Sequence, residues 1–286
     1  MLAACGTPAT TAKSPQSGAV RVVAIEAVYG DIARQMGGSA VAVTTILNSP
    51  GADPHTYEPT ARDADAIAAA DIVVVNGLGY DAFADKLIAA SPRNGRTTLD
   101  AGTLGGHHLG DNPHVWYETS TLRKVNDAIA AEIARREAAR ATAIGAGRDR
   151  FDAWLDRVAK RMQVESRRYG GTPVAITEPV FDYALHAMAL AVATPASFSH
   201  AIEEGNDPAP QDGAVMRSLL QGRHVAAFVY NRQTVEPATA QLLGVAKGAG
   251  VRVVPVTETL PPNTRVQAWI DGELDATLAA LHDYRH

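Results

Sequence analysis

The 286-residue sequence predicts an α/β protein of two (β/α) lobes with mainly parallel sheets, joined by one long helix. Three observations carry that expectation. Short β-branched runs alternate with Ala-rich stretches of helical periodicity in the first half, and the second half repeats the alternation. Strands separated by helices of about ten residues form parallel βα units. Between the halves, Thr121 to Tyr169 contains no proline and few glycines, and its apolar residues recur at helical spacing.

In the first half, Val20–Ile25 reads as a buried strand followed by a helix from Tyr29 to Met36. Val41–Leu47 is the second strand, ended by Asn48-Ser49-Pro50-Gly51, and Thr60–Ala70 the next helix. Ile72–Val75, a helix over Asp81–Ala90 and a short strand at Thr97–Leu99 complete the half. In the middle stretch, Leu122, Val125, Ile129 and Ile133 mark one helix, and Trp154, Leu155, Val158 and Met162 a second. The second half reads as strands at Pro173–Ile176, Ala189–Ala193, Val225–Tyr230 and Val251–Val256, with helices at Tyr183–Met188, Ala214–Gln221, Pro237–Ala249 and Val266–Leu281. The implied division is a flexible tether over 1–19, an N-terminal lobe over 20–145, a linking helix over 146–170 and a C-terminal lobe over 171–286.

Composition narrows the function classes. With 46% hydrophobic and 20% charged residues the chain has the material for a substantial core. Its 26 basic and 31 acidic residues give a net charge of −5, with no Lys/Arg block of the kind a nucleic-acid surface needs. No run approaches the roughly 20 apolar residues that span a bilayer. The single cysteine, Cys5, closes Leu2-Ala3-Ala4-Cys5, which resembles a bacterial lipobox, and a Thr/Ser/Pro-containing segment follows it as a tether. The four residues before Cys5 hold neither the charged nor the apolar part of a signal peptide.

In parallel α/β lobes, ligands collect beyond the carboxyl ends of the strands. Four polar segments sit there. Asp53-Pro54-His55-Thr56-Tyr57-Glu58 and Asp111-Asn112-Pro113-His114-Val115-Trp116 each place a histidine directly after a proline in the first half. Thr177-Glu178-Pro179 and Thr257-Glu258-Thr259 each place a carboxylate just past a strand in the second half. Taken singly, each has a plain structural reading: a loop histidine, or an acidic residue at a helix start. Together they offer two imidazoles and two carboxylates, the donors that first-row divalent ions take, and a core without cysteine excludes thiolate sites. The site is expected in the cleft between the lobes, where a shared ion would couple binding to lobe closure. His107 and His108 read as loop residues.

These segments, with Glu204-Gly205-Asn206-Asp207-Pro208-Ala209-Pro210 and Leu260-Pro261-Pro262, resemble in order those of the zinc/manganese-binding solute-binding lipoproteins of bacterial metal ABC importers, over Val20 to Leu281. The resemblance implies two α/β lobes joined by a long helix. It also implies a non-enzymatic, extracytoplasmic chain that is exported with a signal peptide and anchored to the cell membrane by a lipidated Cys5. Such a chain is expected to act as a monomer that captures Mn2+ or Zn2+ as cargo and hands it to the permease and, through it, the ATPase of the importer. Carried over residue by residue, the metal ligands are His55, His114, Glu178 and Glu258, with Thr257 the alternative to Glu258 by spacing from the strand. Threonine is the poorer donor to a divalent ion. Two histidines with two carboxylates resemble the manganese-importing group, while the Irving–Williams order favours tighter zinc binding at any such site. Asp53, Tyr57, Asn112 and Asn231 are the candidate residues around the ligands. The rival readings are a metal-dependent hydrolase, with Glu58 or Asp182 as acid/base, and an adhesin or organic-ligand receptor on the same scaffold. The sequence has no HExxH helix pair and few aromatic residues to line an organic pocket.

Overall fold

The computed structural model describes residues 18–48, 57–234 and 236–285. The N-terminal sheet has the parallel order β2-β1-β3-β4, from β1 (Val20–Glu26), β2 (Val41–Leu47), β3 (Ile72–Val75) and β4 (Thr97–Asp100). Helices α1 (Ala27–Gly37), α2 (Ala61–Ala69), α3 (Ala82–Ala90), α4 (Ala101–Gly105) and α5 (Thr119–Arg136) connect and cover it. A second parallel sheet, β6-β5-β7-β8, comprises β5 (Pro173–Ile176), β6 (Ala191–Val192), β7 (Ala227–Asn231) and β8 (Arg252–Val256). Its helices are α7 (Asp182–Ala187), α8 (Ala196–Glu203), α9 (Pro210–Gln221), α10 (Pro237–Ala249) and α11 (Val266–Arg285). The expected fold class is therefore the observed one.

Between the sheets runs α6 (Ala141–Tyr169), 29 residues and about 43 Å long at 1.5 Å per residue. It starts at Ala141, five residues before the expected 146, and includes Gly145 and Gly147. Gly147 is where α6 crosses α1: a Cβ there would stand 3.2 Å from the Gln35 carbonyl oxygen and 3.3 Å from Met36 Cα. The buried stripe Phe151, Trp154, Leu155, Val158 and Met162 then packs into one apolar core that includes residues of both lobes.

That shared core has an aromatic centre. Tyr117 of the N-terminal lobe stacks edge-on against Phe181, with ring centroids 4.9 Å apart, and lies 5.2 Å from Trp269. Polar bonds stitch the lobes beside it. Asp31 of α1 accepts from the backbone N–H of Val266 at the start of α11 (3.0 Å), and Gln35 and Gln267 exchange amide hydrogen bonds of 2.7 and 3.0 Å. A rigid-body opening of the lobes would break this packing, so the closure expected from sequence has little room as a large hinge motion.

Two short helices go beyond the elements expected from sequence. α4 is one turn capped by Asp100, whose carboxylate accepts from the N–H of Thr103 at 2.7 Å. α8 follows Pro195 and buries Phe198 and Ile202, which are one turn apart.

Candidate metal centre

Three of the four candidate ligands fall among the described residues, and each is held at the boundary between the lobes. His55 lies outside the described residues, as do Asp53 and Cys5.

His114 sits in the loop between α4 and α5, before the single 3-10 turn Val115–Tyr117, and is fully buried at 0% exposure. Its ring lies edge-on to Trp116 (5.2 Å) and Tyr80 (5.8 Å). The protonation of its nitrogens follows from Asn112. The Asn112 amide nitrogen donates to the Pro179 carbonyl at 2.7 Å, so its oxygen is the atom that faces His114. That oxygen accepts from the His114 backbone N–H at 3.0 Å and from ring Nδ1 at 2.7 Å. Nδ1 then carries a proton, and the tautomer selected in this way is the one whose Nε2 lone pair is available to a metal ion. Nε2 is buried without a hydrogen-bond partner, a costly state for an imidazole that is not given a Lewis acid. Asn76, at the end of β3, steadies the same loop by donating to the Pro113 carbonyl at 2.9 Å.

Glu258 lies two residues beyond β8, with its carboxylate Oε2 3.7 Å from His114 Nε2. Two donor atoms each about 2.1 Å from one tetrahedral ion stand roughly 3.4 Å apart, so this spacing fits a shared ion and exceeds a hydrogen bond. Tyr80 donates its hydroxyl to Glu258 Oε2 at 3.0 Å, and Asn231 donates to Oε1 at 2.6 Å. Burial pushes the Glu258 carboxyl upward, but His114, Tyr80 and Asn231 outweigh it and hold the group below the usual carboxylate range. The neighbouring Thr257 is engaged elsewhere: its hydroxyl accepts from Trp269 Nε1 at 2.9 Å and donates to the Thr259 carbonyl.

Glu178, two residues past β5, opens the single 3-10 turn Pro179–Phe181 but makes no capping bond. Its Oε2 instead accepts from Asn231 Nδ2 at 3.0 Å, the same amide that serves Glu258, while Oε1 is buried without a partner. Burial and the nearby Glu258 raise the Glu178 carboxyl to about 8. Asn231 ends β7, with its backbone N–H held by the Thr177 hydroxyl at 2.9 Å, so strand geometry fixes this bridge.

The structure thus brings His114 and Glu258 together and reaches Glu178 through Asn231. Among the described residues, no three His, Cys, Asp or Glu side chains already stand as a metal-holding group. Of the expected surrounding residues, Asn112 and Asn231 touch the ligands, whereas Tyr57 donates to Asp63 at 2.9 Å in the cap of α2. Tyr80 was not readable from sequence, since nothing in Gly79-Tyr80-Asp81 signals a contact to a residue 178 positions away. His107 pairs with Glu118 at 2.8 Å, His108 is exposed, and Glu58 lies on the surface.

The family described as "Zinc-uptake complex component A periplasmic" matches residues 22–279. The chain belongs to that family. It is a family of metal-binding solute-binding proteins of ABC transporters and not of enzymes. Among curated relatives, the manganese-binding lipoprotein MntA of Halalkalibacterium halodurans is 28% identical over 144 residues, 47% of this chain and 45% of that protein. The iron-binding protein YfeA of Yersinia pestis is 30% identical over 119 residues, 40% of this chain and 36% of that protein. These matches span less than half the length of those relatives. Among solved structures, the periplasmic zinc-binding protein TroA of Treponema pallidum superposes with a TM-score of 0.77 at 16% identity, over 92% of this chain and 99% of that one. FpvC of Pseudomonas aeruginosa in complex with Mn2+ gives 0.73 at 22% identity, over 93% and 99%. At these identities the likeness establishes the shared fold.

Proposed function

We propose that this protein is the extracytoplasmic binding component of an ABC importer, capturing a first-row divalent ion at His114, Glu178 and Glu258, with His55 as the fourth ligand, and delivering it to the membrane permease. The observation that carries this reading is the pair of buried, unpartnered donor atoms, His114 Nε2 and Glu178 Oε1, on either side of the Asn231–Glu258 bridge. Glu178 and Glu258 are disfavoured as two ionised carboxylates buried side by side on one shared amide, and a doubly charged cation would neutralise both. The ion would replace the Asn231 contacts in part, drawing Glu178 toward Glu258 and His114.

Mn2+ and Zn2+ are the cargo candidates, and the curated relatives named for manganese support the former. Carboxylates that bind through both oxygens raise the coordination number beyond four, which suits Mn2+, while zinc remains the tighter binder by the Irving–Williams order. Cys5 is the proposed lipid attachment point, which would hold a monomeric domain at the outer face of the cell membrane, the lipid being its only contact with the bilayer. The permease and, through it, the ATPase are the proposed partners.

Calorimetric titration of the metal-free protein with Mn2+ and with Zn2+ tests the reading. One ion per chain is expected, with His55→Ala and Glu178→Ala each weakening it by more than about 100-fold, beyond the cost of losing an outer-shell partner. Parent-like affinity in both variants would remove the assignment.

A further inference from the structure

The outer nitrogen of His114 faces a second acidic group that the ligand set does not include. Glu203, the last residue of α8 in the C-terminal lobe, places its carboxylate Oε1 3.8 Å from His114 Nδ1, with its side chain 15% exposed. The N–H at that nitrogen hydrogen-bonds to Asn112, and Glu203 lies within Coulombic range of the same proton. Asn112 itself is clamped from the C-terminal lobe, donating to the Pro179 carbonyl and accepting at its own carbonyl from the Tyr183 hydroxyl at 2.9 Å. His114 is therefore an N-terminal-lobe side chain whose outer ring edge is set by the C-terminal lobe.

We infer that Glu203 is a positioning residue for His114: its negative charge polarises the Nδ1–H bond, reinforces the tautomer that Asn112 selects, and strengthens Nε2 as a donor to a cation. The physical reason is general. When a cation binds one imidazole nitrogen, positive charge spreads to the other N–H, and a carboxylate facing that N–H stabilises the metal-bound form more than the free form. The hydrogen bond to Asn112 provides direction, and Glu203 provides charge. Water does not replace it easily, because His114 is fully buried. This inference also gives a role to the end of α8, immediately before Glu204-Gly205-Asn206-Asp207-Pro208, a segment that supplies no ligand.

The inference deepens the proposed metal-binding reading and rests on it for its consequence, but the Glu203–His114 pairing can be read without any metal. The variant is Glu203→Gln, which keeps shape and removes charge, with Glu203→Asp as the conservative control. In the metal-free protein labelled with nitrogen-15, the His114 Nδ1–H resonance is expected to move upfield in Glu203→Gln and to stay near its parent position in Glu203→Asp. Titrated with Mn2+ and with Zn2+, Glu203→Gln is expected to lose about 10- to 100-fold in affinity, the range for outer-shell partners of a ligating histidine. An Nδ1–H resonance unmoved by Glu203→Gln overturns the pairing whether or not metal binds, and so does unchanged affinity for both ions. A parent protein that binds neither ion ends the metal-binding reading and leaves the resonance to decide the pairing.

Discussion

His114 Nε2 and Glu258 Oε2 lie 3.7 Å apart in the buried boundary between two lobes, and no hydrogen bond joins them. Asn112 accepts the Nδ1–H on the far side of the ring, so the neutral imidazole turns the lone pair of Nε2 toward the carboxylate. The relationship is unfavourable unless a cation joins them, and it distinguishes Glu258 from its neighbour Thr257. Glu258→Gln is expected to weaken Mn2+ and Zn2+ binding by more than about 100-fold, beyond the cost of an outer-shell partner. Thr257→Ala is expected to change it by less than about threefold, because that hydroxyl is spent on Trp269 and Thr259. Parallel calorimetric titrations of the two variants separate them.

Asn112 decides which nitrogen of His114 is free. Asn112→Ala removes the acceptor of two N–H groups and lets the ring exchange tautomers, at an expected cost of about 10- to 100-fold in ion affinity. Asn112→Asp retains the acceptor oxygen and should retain most of the affinity, although it loses the bond to the Pro179 carbonyl. Equal losses in the two variants would mean that the amide serves only the loop and not the ring.

A further buried carboxyl, Glu273 on α11, contributes to how stability varies with pH. It accepts from the Tyr117 hydroxyl at 2.6 Å, the Thr257 N–H at 3.0 Å and Trp269 Nε1 at 2.9 Å. Burial nevertheless pushes it up to about 8, outweighing those bonds. The folded chain therefore holds this proton more firmly than the unfolded chain, whose glutamates titrate near the ordinary 4.5. The stability it contributes is complete below that value, declines as pH rises from about 4.5 to about 8, and is gone above it. Melting temperatures of the metal-free parent should fall across that window, and Glu273→Gln should fall less. A parallel fall in both proteins would contradict the assignment.

The crossing of α6 over α1 depends on having no side chain at Gly147. Its Cβ would press on the Gln35 carbonyl and Met36 Cα, both backbone atoms that cannot rotate away. Gly147→Ala, which raises helix propensity, is expected to destabilise by about 1–3 kcal/mol through overpacking. Gly145→Ala, in open space on the same helix, is expected to be neutral or stabilising. Thermal denaturation of the two variants gives opposite signs if the crossing is as described.

Much of the fold was readable because several of the parallel strands are short runs rich in β-branched residues. Val41–Leu47, Ile72–Val75 and Pro173–Ile176 match their sequence patterns end to end, as does the helix Pro237–Ala249. Elements decided by tertiary packing were less visible. α4 contains two glycines in one turn, and α8 shows only Phe198 and Ile202 of its buried face. Ala189–Ala193 pairs over Ala191–Val192 alone, since Ala189 has a left-handed backbone at φ 53°. At the candidate site, His114, Glu178, Glu258, Asn112 and Asn231 could be proposed from sequence because they follow strands or belong to an Asn-Pro-His segment. Tyr80 and Glu203 could not, because they reach the same point from a distant loop and a helix end, and no local spacing encodes that meeting.

One ion is proposed to join side chains of both lobes at His114. Anomalous diffraction from crystals grown with Zn2+, and separately with Mn2+, tests it most directly. A single strong peak is expected within bonding distance of His114 Nε2 and of carboxylate oxygens of Glu178 and Glu258. A peak bound elsewhere, or none with the protein saturated in solution, would contradict it.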